Sequence, residues 1–329
     1  MNETYITKCG LKVIYVEKRG FHQSYAGIGV NYGSRDLEYQ LSDQKIKSPS
    51  GTAHFLEHKL FQMPNGDAFS MFSKENAHAN AYTGLEKTIY YFTTAESIYP
   101  SLKLLLEMYF TPYFLKEEVE REKGIIYSEI QMQQDIEWSQ FNLQMLDALY
   151  PKSGLSKSVV GTKESVSKIM AQDLKNAYDA FYTSDNSFLV VVSNQPREKI
   201  LSYIEEVLEH LQIRRGIPQY KKENFTIGTD FIRKGNVEQN NAALAIRLDA
   251  NQADSFFCDY MIGILDCFFS PVSAFYKELY QQKAFFADID YSVMTLRDTS
   301  FIILSTTTNK PKLFLKKAKE KLKSITKKD

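Results

Sequence analysis

The chain has 329 residues, and its 40 lysines and arginines balance 40 aspartates and glutamates. With 43% hydrophobic and 24% charged residues it has the make-up of a globular protein with ample material for a buried core, and its length suits about two domains. The zero net charge argues against a general nucleic-acid binder, although it is an average: residues 309–329 hold nine lysines against two acids, so the remainder is mildly acidic.

The start, MNETYITKCGLKVIYVEK, has no basic segment leading into an apolar core, so no secretory signal is expected. No run of about 18 apolar residues is present to span a bilayer. Cys9, Cys258 and Cys267 are odd in number and widely spaced, which fits neither a disulfide framework nor a CxxC metal site. They read as reduced, buried thiols of a cytoplasmic protein.

In chain order, 11–17 and 24–32 read as strands, the second closed by Gly33-Ser34, and 34–50 as polar and turn-rich. A helix is expected from Gly51 through Phe61, stopped by Pro64-Asn65-Gly66, with a short helix over 67–76. Strands at 78–83 and 87–94 lead into a helix that ends near Phe110, before Pro112. A long helix runs from Lys116 toward Leu149, its apolar residues over 125–149, with Trp138, expected in the core. A helix at 171–182, a strand at 188–193 and a helix over 196–211, with Pro196 suited to its start, complete this part. Polar residues 212–235 read as a linker. Then come a strand at 240–248, helices at 253–268 and 273–283, strands at 286–293 and 299–307, and a basic amphipathic helix at 311–325. This order of strand, two helices, two strands and a helix repeats the first half, and then stops early. The expectation is an α+β fold of two related domains, each a mixed or antiparallel sheet packed by helices, with the second truncated: 1–212 catalytic, 213–235 linker, 236–329 partial copy.

The sharpest motif is His54-Phe55-Leu56-Glu57-His58, an H-x-x-E-H within an expected helix. Positions i and i+4 share a helix face, so two imidazoles can hold one metal ion, and the Glu57 carboxylate can reach a water on it. Histidine suits Zn²⁺, which in catalytic sites takes three protein ligands and keeps one position open. The long helix offers Glu117, Glu118, Glu120, Glu122, Glu129 and Glu137 as a third ligand. Glu122 and Glu129 are seven apart and nearly share an azimuth, but so do Glu118 and Glu129, eleven apart, and periodicity does not choose between them. Glu117, Glu118 and Glu120 have a simpler role as a solvated acidic helix start. His78 reads as an ordinary strand histidine, and His22 and His210 as surface residues.

HFLEH, with EREKGIIYSEI some seventy residues later, resembles the pitrilysin/insulinase-type metallopeptidases, the inverzincins, and is similar in form to bacterial two-domain members related to mitochondrial processing peptidase. NYGSRDLEY, NAYTGLEKTIYYF and GTKESVSKI…DLKNAYDAFY extend the resemblance over the first half. It implies His54, His58 and Glu129 as zinc ligands, Glu57 as general base, Glu122 as a supporting carboxylate, and Asn80 and Ala81 as contacts to the substrate backbone. An extended peptide would then pair with the Asn80-Ala81 strand by edge addition. In such families the second domain lends an arginine and a tyrosine to the substrate; Tyr291 matches the tyrosine, while Tyr280 stands where the arginine is expected. The resemblance thus implies a Zn²⁺-dependent endopeptidase acting on short or unfolded peptides, working as a homo- or heterodimer with a related subunit; charge and the lack of a long apolar run add that no nucleic acid and no transmembrane segment are expected. The alternative it leaves open is a weakly active or non-catalytic subunit that guides peptide in a heterodimer.

Overall fold

The computed structural model describes residues 3–226, 228–233, 239–248, 255–285 and 287–325. Residues 227 and 234–235 of the expected linker, 253–254 of an expected helix and 286 of an expected strand lie outside that set. The chain forms two units, Met1–Asp135 with Lys157–Lys221, and Ile136–Ser156 with Lys222–Asp329.

In the first unit the strands are β1 (Glu3–Ile6), β2 (Lys12–Glu17) and β3 (Ser24–Val30), then the hairpin β4 (Glu38–Leu41) and β5 (Gln44–Lys47). Next are helix α1 (Thr52–Leu60), the two-residue strands β6 (Gln62–Met63) and β7 (Gly66–Asp67), α2 (Ala68–Lys74), and β8 (Ala77–Thr83) with β9 (Thr88–Thr94). Helices α3 (Ile98–Phe110) and α4 (Lys116–Asp135) come after them; α5 (Glu137–Leu149) belongs to the second unit. The short α6 (Lys163–Ser167), α7 (Ala171–Phe181), β10 (Ser187–Ser193) and α8 (Arg197–Glu209) complete the first unit.

Its main sheet runs β1-β2-β10-β3-β9-β8, antiparallel except for the β2–β10 pair, so β8 is an edge. Strict alternation along β9 and β10 turns Thr88, Tyr90, Phe92 and Leu189, Val191 inward. Helix α3 packs on β3 and β9, and α1 on β8 and β9. Beneath α1 the core is aromatic: Tyr32 stacks on Phe181 at 4.2 Å, and the Tyr90 and Tyr182 hydroxyls share a hydrogen bond of 2.9 Å. A fully buried hydroxyl needs such a partner, because leaving it unpaired costs about 1–3 kcal/mol. Two glycines matter to the placement of the site. Gly51 caps α1 with φ at 94°, a left-handed conformation that side chains resist. A Cβ on Gly33 would stand 2.4 Å from the Glu86 backbone nitrogen, so only glycine lets the chain after β3 lie against the turn that ends β8. There Ser34 and Arg35 donate backbone bonds to Gly84 and Leu85, and a buried Arg35–Glu86 ion pair of 2.8 Å closes the contact.

The second unit holds α5, β11 (Asn241–Leu248), α9 (Ser255–Phe269), α10 (Ala274–Gln281), β12 (Asp290–Thr295), β13 (Ser300–Thr307) and α11 (Pro311–Ser324). Its antiparallel sheet runs β11-β13-β12. The succession β11-α9-α10-β12-β13-α11 repeats β3-α1-α2-β8-β9-α3 once the small hairpins β4–β5 and β6–β7 are set aside, and the strand neighbours repeat as well, β3-β9-β8 against β11-β13-β12. The α+β architecture of two related sheets packed by helices is therefore present.

The long helix expected over 116–149 is two helices. Ile136 takes an extended conformation, and Asp135 and β-branched Ile136 are weak helix formers. Residues 136–156 lie in the second unit for reasons of chemistry: the Tyr150 hydroxyl pairs with Thr299 at 2.8 Å, its ring meets Phe301 edge-on, and Ser153 bonds Glu223. The apolar residues there are not uniformly core. Ile126, Ile130 and Met145 are buried, but Ile125, Met132 and Trp138 are exposed. The three cysteines are free, as expected, but none is fully buried: Cys9 and Cys258 are half-buried and Cys267 is exposed. Among the described residues no single helix is long and apolar enough to cross a membrane.

Candidate metal centre

Helices α1 and α4 supply the site. His54 and His58, one turn apart on α1, have ring centroids 4.6 Å apart. Glu129, from α4, faces both: its Oε1 lies 3.3 Å from His54 Nε2 and its Oε2 lies 3.6 Å from His58 Nε2. Among the described residues these three form the one group of His, Cys, Asp and Glu side chains able to hold a metal, with ligand atoms all within 4.8 Å of one another. Two imidazole nitrogens and a carboxylate oxygen are the donor set of a catalytic zinc. Ligands about 2.0–2.1 Å from a tetrahedral ion lie roughly 3.3–3.4 Å apart, close to the two spacings above. The donors fit the metal.

The His58 Nδ1–H donates to Glu122 Oε1 at 2.9 Å. A carboxylate behind an imidazole fixes the tautomer that leaves Nε2 free to ligate. Among the described residues His54 has no such partner, and its buried Nδ1 makes no hydrogen bond. Glu57, buried on α1, is outside the ligand group. Its Oε2 accepts from the Thr83 hydroxyl, which lies 3.4 Å from Thr88 Oγ1, and Thr88 donates to the Tyr32 carbonyl. Thr83 is a residue that sequence reasoning missed; its place two residues after Ala81, on the same face of β8, is the signal.

Burial alone would lower the His58 imidazole, but hydrogen bonds to Glu122 and Glu129 and the charges of Glu122 and Glu57 outweigh it and raise the pKa to about 9. Hydrogen bonds from His54 and His58 hold Glu129 well below the usual carboxylate range, against the opposing effect of its burial. The metal-free protein therefore has a defined pH response. A histidine raised in the folded state stabilises fully below its unfolded value near 6.5, and that contribution is lost as pH rises through about 9. Denaturant unfolding of chelator-treated protein is expected to show lower stability at pH 9.5 than at pH 6. A His58→Gln variant is expected to flatten the difference.

Lys59, next to His58, is fully buried. Its ammonium donates to Gln62 Oε1, and the Gln62 amide donates to Glu118 Oε2 at 2.8 Å. Burial lowers the Lys59 pKa, while the charges of Glu122 and Glu118 oppose that shift. Glu118 is thus more than a solvated helix start, unlike the exposed Glu117.

Asn80 and Ala81 sit mid-way along the edge strand β8; Asn80 is exposed, and its Oδ1 accepts from the Ala81 backbone N–H. Tyr291 lies on β12 in the second unit, where its hydroxyl donates to Asp266; burial and Asp266 push its pKa up to about 12. It belongs to the second unit, and the α1–α4 group to the first. Tyr280 is exposed and stacks on Tyr276. His22, His78 and His210 are exposed.

Comparison with known proteins decides the family. Residues 12–163 match the insulinase (peptidase family M16) model, and residues 168–329 match the peptidase M16 inactive-domain model. The chain belongs to the M16 peptidase family. This M16 chain is 36% identical over 199 residues to an uncharacterized zinc protease, YmfH, of Bacillus subtilis, an alignment covering 60% of the chain and 46% of that protein. It is 26% identical over 267 residues to the mitochondrial-processing peptidase subunit beta of Neurospora crassa, covering 78% and 54%. A solved structure described as an M16-like peptidase from Alicyclobacillus acidocaldarius superposes with a TM-score of 0.87 at 26% identity, covering 98% of this chain and 78% of that one. The chain spans about half the length of the curated relatives it matches. Relatives named as zinc proteases support a peptidase.

Proposed function

We propose that the M16 chain is a zinc-dependent endopeptidase for short or unfolded peptides. The observation that carries this reading is the convergence of His54, His58 and Glu129 within 4.8 Å, beside a buried Glu57 held by Thr83. When bound there, Zn²⁺ would supply an acidified water and charge stabilisation for the oxygen of the scissile carbonyl. Glu57 takes a proton from the attacking water and returns it to the leaving amine. Thr83 holds one Glu57 oxygen and so leaves the other for that transfer. Glu122 keeps the His58 proton on Nδ1. The open edge of β8 offers the backbone of Asn80 and Ala81 to an extended peptide, which an edge strand can bind by main-chain pairing.

We propose that Tyr291 turns its hydroxyl proton from Asp266 to substrate, a reading supported by its match to the tyrosine that related peptidases supply. Pairing with a related subunit is proposed from the likeness to a processing-peptidase subunit, and a reducing, cytoplasm-like compartment from three unpaired cysteines. A second reading, a guiding subunit with little activity of its own, is favoured by two observations: Tyr280 stands where an arginine is expected, and residues 168–329 match an inactive-domain model.

The test is zinc content together with cleavage of an unstructured peptide library, before and after chelation. About one zinc per chain and chelator-sensitive cleavage are expected. Zinc without cleavage favours the guiding subunit, and protein that takes up no zinc defeats both readings of the site.

A further inference from the structure

The metal-binding groups are part of a longer polar seam between α1 and α4. Three contacts run along it: Gln62 to Glu118, His58 to Glu122, and His54 to Glu129. His54 and His58 are four apart on α1 and Gln62 follows just past its end, in β6; on α4, residues 118, 122 and 129 are four and seven apart, spacings that keep side chains on one helix face. As numbers rise on α1 they fall on α4, so the helices are antiparallel and each contact is a rung between them. Two rungs involve the candidate ligands or the carboxylate behind His58. The third, Gln62–Glu118, touches neither.

That third rung is built. Gln62 spends its carbonyl oxygen on the buried Lys59 ammonium and its amide on Glu118 Oε2. The other Glu118 oxygen takes Arg121 at 3.0 Å. A buried lysine and a polar bridge add little stability over apolar side chains of the same size, so stability is a poor reason for such a rung. Geometry is a better one. A slip of α4 by one residue along its axis is about 1.5 Å, enough to carry Glu129 away from its two imidazoles. The Glu129 contacts are soft, at 3.3 and 3.6 Å, and on the N-terminal side of Glu129 helix α4 is tied down at two points, Glu122 to His58 and Glu118 to Gln62.

We infer that Lys59, Gln62 and Glu118 are positioning residues, a register lock that holds α4 against α1 so that Glu129 meets both histidines. This rests on the reading of His54, His58 and Glu129 as the zinc site. The lock acts on the metal through helix placement, so its first readout is zinc affinity rather than cleavage.

The experiment measures zinc affinity by competition with a chromogenic chelator, the visible spectrum of the Co²⁺-loaded protein, and thermal unfolding of the metal-free protein. The variants are Glu118→Leu, Glu118→Gln, Gln62→Leu and the double Gln62→Leu/Glu118→Leu. Glu118→Leu and Gln62→Leu are each expected to weaken zinc about tenfold, the low end of the effect of outer partners, and to shift the Co²⁺ bands. Glu118→Gln keeps an oxygen for the Gln62 amide and is expected to stay within about twofold of the parent. The double variant is expected to be no weaker than either single one, because the two share one contact. If Glu118→Leu fails to fold, Gln62→Leu and Glu118→Gln decide: the first must lose affinity and the second must keep it. Leucine variants that fold and match the parent in zinc affinity overturn the lock while leaving the zinc site intact. A parent that takes up no zinc removes the site, and the lock with it.

Discussion

Replacing Glu57 by Gln is expected to slow peptide cleavage by about 10²–10⁴-fold, the usual worth of a general base, while bound zinc stays at the parent level. The two effects separate because Glu57 is outside the ligand group, although it sits between the ligands in sequence. Its side chain faces Thr83 on β8, and Gln keeps a carbonyl oxygen for that hydroxyl, so the substitution leaves shape and anchoring nearly unchanged. What it removes is the ability to accept a proton. Steady-state cleavage of an unstructured peptide and zinc by mass spectrometry on the same preparation check this. Full activity in Glu57→Gln would rule out Glu57 as the base, and loss of zinc would make it part of the metal shell.

The other large effect concerns the carboxylate that closes the ligand set. Glu129→Ala is expected to weaken zinc by well over the 10–100-fold typical of an outer partner, and cleavage should fall with it. Glu122→Ala should remain inside that range, since Glu122 supports His58 from Nδ1 without entering the ligand group. The order matters more than either value. Glu122 and Glu129 share a helix face in the sequence, and their distances to the two imidazoles separate their roles. Equal losses, or a larger loss for Glu122, would reverse the assignment. Chelator competition on the two variants and the parent reads the order directly.

Much of the fold was legible because its signals are local and periodic. The β-branched and aromatic run TIYYFTT is β9, and Gly51 and Phe61 bound α1 as the turn residues around them suggest. The repeat of element order was visible for the same reason, and strand order repeats with it. The hairpin β4–β5 was not legible. Its strands, EYQL and QKIK, have four residues each and turn at Ser42, which takes a positive φ of 52°. The alternation they carry, Tyr39 and Leu41 in one strand and Ile46 in the other, is too short to stand out from the polar residues around it. The break at Ile136 was hidden by a continuous helical pattern, and long-range contacts such as Tyr150 to Thr299 place the segment beyond it.

The site divides in the same way. The H-x-x-E-H pair is a local spacing, and the structure brings the histidines together as that spacing requires. The choice among the glutamates of α4 is not local. It depends on which of them meets α1, and that is a property of how the two helices pack. Glu118 shows the limit clearly: by sequence it resembles Glu117 and Glu120, yet it alone of the three meets Gln62. Thr83 was hidden because a threonine in a strand is ordinary until its neighbour is known.

Zinc K-edge X-ray absorption on purified, zinc-loaded protein tests whether two imidazoles of α1 and one carboxylate of α4 hold the ion with a position left open for reaction. A coordination sphere of nitrogen and oxygen only is expected, at about 2.0–2.1 Å, with two imidazoles in the parent and one in His58→Ala. Sulfur at about 2.3 Å, or an imidazole count unchanged by His58→Ala, would contradict it.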